Sequence, residues 1–259
     1  MILRSRIILI LGGVLLAAMV GPGGVAHAQP APAQASGSSA QPSYRKVAKI
    51  PIGGEGGWDY LSVDPVARRL YVSHSIKVVV VDIDTNAVVG EIAPTAGVHG
   101  IALATDLGRA FVSNGRDSTA SIVDLKTLKT IGTVKTGENP DAILYEGVHH
   151  EVYAFNARGK SATVFDAQTG DVRATIPLPG APEFAVFDEK AGRIYTNIGD
   201  RSQLVAIDPS KHAVVATWPI APGEDASGLA LDPATHRLFI GCSNKLLLMV
   251  DGANGGRPG

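Results

Sequence analysis

The chain has 259 residues, with 23 Lys and Arg against 24 Asp and Glu, a formal net charge of −1. That balance, without a run of Lys and Arg, supplies neither the concentrated basic patch that nucleic acid requires nor the polybasic segment that anionic membranes attract. The sole cysteine, Cys242, excludes an intrachain disulfide, so stability must come from packing.

Arg4 and Arg6 open the chain, Ile7 to Val20 is apolar apart from Gly12 and Gly13, and Ala26-His27-Ala28 ends in small residues suited to a signal peptidase. Residues 1–28 read as a secretory signal, too short and too glycine-broken for a stable spanning helix. No cysteine follows the apolar run, so no lipid anchor is expected. A periplasmic or extracellular protein without a membrane anchor after cleavage at Ala28 is the expectation. Losing Arg4 and Arg6 leaves 21 basic against 24 acidic residues, about −3. Residues 29–43, QPAPAQASGSSAQPS, are rich in Pro, Ala, Ser and Gln and read as a disordered linker.

From Tyr44 a single phrase repeats five times. An apolar strand (YLSVD, GIALATD, AILYE, FAVFD, GLALD) is followed by a polar turn and by a second strand opening on a large or branched residue (LYVSH, AFVSN, VYAFN, IYTN, LFIGC). A charged loop leads to a third strand ending in aspartate: KVVVVD, TASIVD, SATVFD, QLVAID, LLLMVD. A turn and a fourth strand follow in the first four repeats. The aspartates Asp82, Asp124, Asp166, Asp208 and Asp251 stand 42, 42, 42 and 43 residues apart. A fixed period in the low forties, with period-2 alternation, predicts an all-β fold, a β-propeller of four-stranded antiparallel blades over residues 44–259. Each ladder aspartate is expected to accept backbone N–H groups two residues on and close the turn into strand four.

Antiparallel pairing puts the entry to strand one and the loop between strands two and three on one face. Strand one lines the channel, so Asp59, His99, Asp141 and Glu183 should ring its mouth. Arg116, Arg158 and Arg201, with Lys77, Lys160 and Lys245, should form a looser basic collar. Convergent carboxylates and a histidine are a donor set for Ca²⁺ or Zn²⁺, and the collar suits an anionic molecule or an acidic segment. The alternative is that these charges are simply solvated. Gly53 to Gly57 does not lead a strand into a helix and is no phosphate loop. His149-His150 reads as a solvated turn facing away from the mouth, and Cys242 as a small packed residue rather than a nucleophile.

The phrases Phe111-Val112-Ser113-Asn114, Tyr195-Thr196-Asn197 and Tyr71-Val72-Ser73-His74 resemble the YVTN repeat of bacterial and archaeal propellers, and Tyr44 to Asp251 is similar to its periplasmic YncE-like branch. That resemblance implies seven blades, where five repeats are visible. Either the chain is an incomplete seven-bladed propeller, the favoured account, or Tyr44 to Gly53 supplies the fourth strand of the last blade and closes a five-bladed ring. The function expected is a secreted binding module with a small-molecule or envelope-protein partner at the channel mouth, a monomer with no cofactor evident. The alternatives are a lactonase-type hydrolase, whose relatives use acidic and amide residues around a divalent metal at this mouth, and an envelope scaffold or non-functional fragment.

Overall fold

A computed structural model describes residues 45–256. The signal and linker readings, with Tyr44, lie outside the described residues. Among the described residues no helix is long and apolar enough to cross a membrane.

The repeat folds as the sequence phrase predicts. Blade one is β1 (Trp58–Asp64), β2 (Arg69–His74), β3 (Lys77–Asp82) and β4 (Ala87–Ile92); blade two is β5 (Val98–Ala104), β6 (Arg109–Asn114), β7 (Thr119–Asp124) and β8 (Lys129–Lys135). Blade three is β9 (Pro140–Glu146), β10 (Glu151–Asn156), β11 (Ser161–Asp166) and β12 (Val172–Pro177); blade four is β13 (Pro182–Asp188), β14 (Arg193–Ile198), β15 (Gln203–Asp208) and β16 (Ala213–Pro219). Blade five has three strands, β17 (Ala226–Asp232), β18 (Arg237–Cys242) and β19 (Leu247–Asp251). Every blade is an antiparallel meander in sequence order. The inner strands β1, β5, β9, β13 and β17 pack each on the next, and no comparable packing joins β17 to β1 among the described residues.

The core lies between blades. Alternation within each strand sends one set of side chains to either neighbour, which yields four interblade layers. Tyr71, Val78 and Val80 of blade one meet Ile101, Ala110 and Val112 of blade two. Phe111 and Ile122 meet Val152 and Phe165 across the next seam. Tyr153, Phe155 and Val164 meet Ile194, Val205 and Ile207, and Tyr195 and Leu204 meet Leu238 and Ile240.

The ladder aspartates do close turns. Asp82 accepts the N–H groups of Asp84 and Thr85, Asp124 that of Thr127, Asp166 those of Gln168 and Thr169, Asp208 that of Ser210, and Asp251 that of Ala253. The Thr85 N–H on Asp82, the Thr127 hydroxyl on Asp124 and the Ser210 hydroxyl on Asp208 hold these carboxyls below the usual range, Asp208 at about 2. A depressed folded pKa gives stability that is present above the unfolded value and lost as pH falls through the folded one. The melting temperature is therefore expected to fall as pH drops from about 4 towards 2, less steeply in Asp208→Asn, which keeps an acceptor but does not titrate. Circular-dichroism melts across that window check it.

On the face opposite the channel mouth, histidines clasp carboxylates of the preceding blade. His212 of blade four reaches Glu151 of blade three at 2.8 Å, and His236 of blade five reaches Asp188 of blade four at 2.5 Å. His150 is likewise engaged, 2.7 Å from the Tyr145 hydroxyl and 3.5 Å from Asp106 of blade two, so the turn expected to be simply solvated is an interblade contact. Asp188 is buried and keeps only the Ala191 N–H if His236 is truncated. His236→Ala is expected to cost roughly 1–3 kcal/mol in urea unfolding, the range for a buried acceptor losing its donor. His236→Gln should recover part of it.

The described residues build the five repeats seen in the sequence as five blades, the last with three strands. One expectation is corrected. The segment proposed as a closing strand forms none over residues 45–57. Its Ile50 and Ile52 pack instead on Val72, Val79 and Val81, the face of blade one turned away from blade two. The exit from β19 nevertheless repeats an earlier turn. Asp251 N–H reaches Gly256 O and Gly255 N–H reaches Asp251 O, both at 2.8 Å, as Asp166 pairs with Asp171 and Gly170 before β12. Gly255 and Gly170 adopt φ of +71° and +81°, which an L side chain would strain.

Candidate functional site at the channel mouth

Every inner strand carries a bulge at its entry, and the bulges fall on the predicted site residues. In β1, Asp59 and Tyr60 together oppose a single residue of β2, Ser73; the pairing jumps from Trp58↔His74 to Leu61↔Val72. His99 and Gly100 do the same in β5, Asp141 and Ala142 in β9, and Glu183 and Phe184 in β13, while in β17 Ser227 is an extra residue between the pairs Ala226↔Cys242 and Gly228↔Gly241. An extra residue breaks the pleat and re-aims the side chains on either side of it. Five such bulges on one rim turn Asp59, His99, Asp141 and Glu183 into a shared cavity of about 570 Å³, completed by Tyr60, Phe184, Ser227, Gly228 and Leu229.

Second strands hold the bulges in place. The Ser113 hydroxyl accepts the Gly100 N–H at 2.9 Å and donates to the Asp141 carbonyl at 2.6 Å, locking the entries of blades two and three together. Asn197 donates to the Gly228 carbonyl at 3.0 Å, and between inner strands Ser62 of β1 donates to the Ile101 carbonyl of β5 at 2.6 Å. Asn114 and Asn156 turn instead to the third strand of their own blade, donating to Thr119 and Ser121 of β7 and to Ser161 and Thr163 of β11. The polar positions of the YVTN-like phrase are thus structural joints.

Within the cup, His99 Nδ1 lies 2.8 Å from Asp59 Oδ2 and 3.5 Å from Asp141 Oδ1. The hydrogen bond to Asp59 raises the His99 pKa against the opposing effect of burial. Burial, aided by the charge on Asp59 and opposed by His99, raises that of Asp141. Burial is also the main reason that Glu183 is pushed up to about 7, with the charges of Asp141, Asp225 and Asp59 adding to it. Tyr60 is raised by burial and by the same carboxylates. Its ring lies over Gly100, where a Cβ would come within 3.2 Å, and meets Phe184 edge-on at 4.9 Å to form an aromatic floor. Below that floor an apolar channel of about 350 Å³ runs between β1, β5 and β9.

The predicted collar is not part of this cup. Arg116, Arg158 and Arg201 are exposed in loops between strands two and three, and none lines the cavity. Lys77 is paired with Glu91 at 2.8 Å and Lys160 with Asp200 at 3.3 Å. Tyr60, Phe184 and Asp225 are the residues that sequence reasoning missed. Tyr60 and Phe184 occupy the second bulge position, one residue after Asp59 and Glu183, so aligning repeats at the bulge picks them out.

No protein-family model and no curated protein matches the chain. Solved structures share its fold. Hydrazine synthase of Kuenenia stuttgartiensis superposes with a TM-score of 0.66 at 17% identity over 76% of this chain and 58% of that one. The Cps50 (Swd1) β-propeller domain of Myceliophteria thermophila gives 0.65 at 12% identity, over 76% and 65%. The chain thus spans less than two thirds of either structure. At these identities the likeness concerns architecture, and it is that of a β-propeller.

Proposed function

We propose that this chain is a secreted binding propeller of the YVTN type that takes a cationic ligand in the channel-mouth cup. The observation that supports this is charge without compensation. Asp59, Asp141 and Glu183 converge from three blades with one histidine between them, and no Lys or Arg lines the cavity. Like charges held in a half-buried site raise the free energy of the empty state, and a cation relieves it. Drawing three carboxyl groups together at a half-buried rim has no packing rationale, since a rim facing solvent would be as stable with polar neutral residues.

The test is calorimetric titration of organic amines and divalent cations into the wild type and into an Asp141→Asn/Glu183→Gln double variant. Binding of at least one cation, weakened about 100-fold or more by the double variant, is expected when two charge-assisted contacts are lost at about 1.5–3 kcal/mol each. Binding that is indifferent to the variant removes the cup as the site. Export predicts a mature chain beginning at Gln29, which intact mass of the secreted protein reads directly.

A further inference from the structure

We propose that Asp59, His99 and Asp141 form a Zn²⁺ site. The inference rests on the reading of the cup as a cation site and names the cation. One ligand atom from each residue, contributed by blades one, two and three in turn, lies within 4.8 Å of the other two. All three residues sit on bulges of inner strands, so backbone geometry sets their spacing rather than the wandering of long side chains.

Distances discriminate between kinds of cation. An ion bound at about 2.0–2.2 Å needs its ligand atoms roughly 3.0–3.5 Å apart. An ammonium group taking hydrogen bonds of about 2.8–2.9 Å needs acceptors about 4.5 Å apart. The imidazole nitrogen lies 2.8 Å and 3.5 Å from the two carboxylate oxygens, nearer a metal's ligand spacing than an ammonium's, and the 2.8 Å contact is the hydrogen bond that a bound ion would replace. The same nitrogen, Nδ1, faces both carboxylates, so no ring flip is required to bring the three atoms round one ion. Imidazole also chooses among metals. Ca²⁺ and Mg²⁺ take oxygen ligands, whereas zinc takes nitrogen with carboxylate oxygen. Of the two ions suggested by the residue types, the histidine selects zinc.

The surroundings match what a metal ligand set requires. Ser113 holds the Asp141 backbone and so fixes the strand that carries this ligand. The Asp59 side chain is 37% exposed, which leaves the solvent side of the cluster open for a fourth ligand. Glu183 lines the same cavity without belonging to the cluster.

The experiment uses the full mature chain, stripped with a chelator and titrated with Zn²⁺ by calorimetry. One equivalent is expected, with affinity reduced at least about 100-fold in His99→Ala and about tenfold in Ser113→Ala, which touches no ligand atom. Should His99→Ala fail to fold, the ¹⁵N shift of His99 Nδ1 in the wild type must still move on adding zinc. No zinc equivalent, an unmoved Nδ1 resonance, or binding unchanged by His99→Ala would overturn the assignment; the last would place zinc on the histidines of the opposite face. Ca²⁺ displacing zinc at equal concentration would also overturn it. A cup that binds an organic amine through Asp141 and Glu183 but not zinc sinks this inference alone and leaves the binding-module reading standing. Loss of both sinks both.

Discussion

Phe165→Ala is expected to lower the unfolding free energy by about 3–5 kcal/mol. Phe165 is fully buried in the seam between blades two and three and meets the Phe111 ring edge-on at 5.8 Å. Domains of this kind are stable by only about 5–15 kcal/mol, so about a fifth or more of the total would disappear with one side chain. The reason the effect is large lies in the architecture. A blade is two-sided and thin, and none of its strands buries its apolar side chains within its own sheet; each seam is all the core that two neighbours share. Exposed residues of similar chemistry should behave differently. Leu247 is 72% exposed on blade five, and Leu247→Ala should move stability by no more than about 0.5 kcal/mol. Chemical denaturation of both variants separates the cases. A small effect at Phe165 would mean that blades two and three are not coupled through this seam.

The repeat was legible because each rung of it has a local cause. The unbroken apolar run in KVVVVD reports two buried faces, and the aspartate that ends each third strand closes a turn with amides two or three residues ahead, entirely within one short segment. Local causes leave local marks. The bulges were not legible, since an extra residue at Asp59-Tyr60 or Glu183-Phe184 alters neither composition nor hydropathy; it appears only when the opposing strand is in place. Counting loops correctly put Asp59, His99, Asp141 and Glu183 on one rim but could not show that they share a cavity while Arg116, Arg158 and Arg201 do not.

The clasps His236–Asp188 and His212–Glu151 join residues 48 and 61 positions apart, beyond the reach of any local pattern. The segment YRKVAKIPIG failed for a related reason. Its alternating Ile50 and Ile52 are what an extended segment needs to cover a sheet face as much as what a strand needs to join an edge. Uncovered Val72, Val79 and Val81 decided between the two. Pattern specifies which face of a segment is apolar, and the partner determines what the segment becomes.

Glu183→Gln is expected to stabilise the metal-free protein above pH 7 and to change nothing at pH 4.5. Burial, then the charges on Asp141, Asp225 and Asp59, carry the folded pKa from 4.5 to about 7. Between those values the folded state holds a proton that the unfolded chain has released, so stability falls as pH rises through the window, the reverse of the ladder aspartates. The full shift must be discounted because the carboxyl is only partly buried, which leaves roughly 1–2 kcal/mol at pH 8. Thermal melts of both proteins from pH 4.5 to 8.5, with chelator present, should therefore converge at the acid end and separate at the other. Parallel curves would mean that the cup exerts no field on Glu183. A cation bound in the cup supplies the opposite charge that the empty site lacks, so saturating ligand should flatten the wild-type slope and leave Glu183→Gln almost unmoved. The carboxyl that weakens the empty fold is then the one that strengthens the loaded one, which is the exchange of stability for binding that a functional site makes and a structural turn does not.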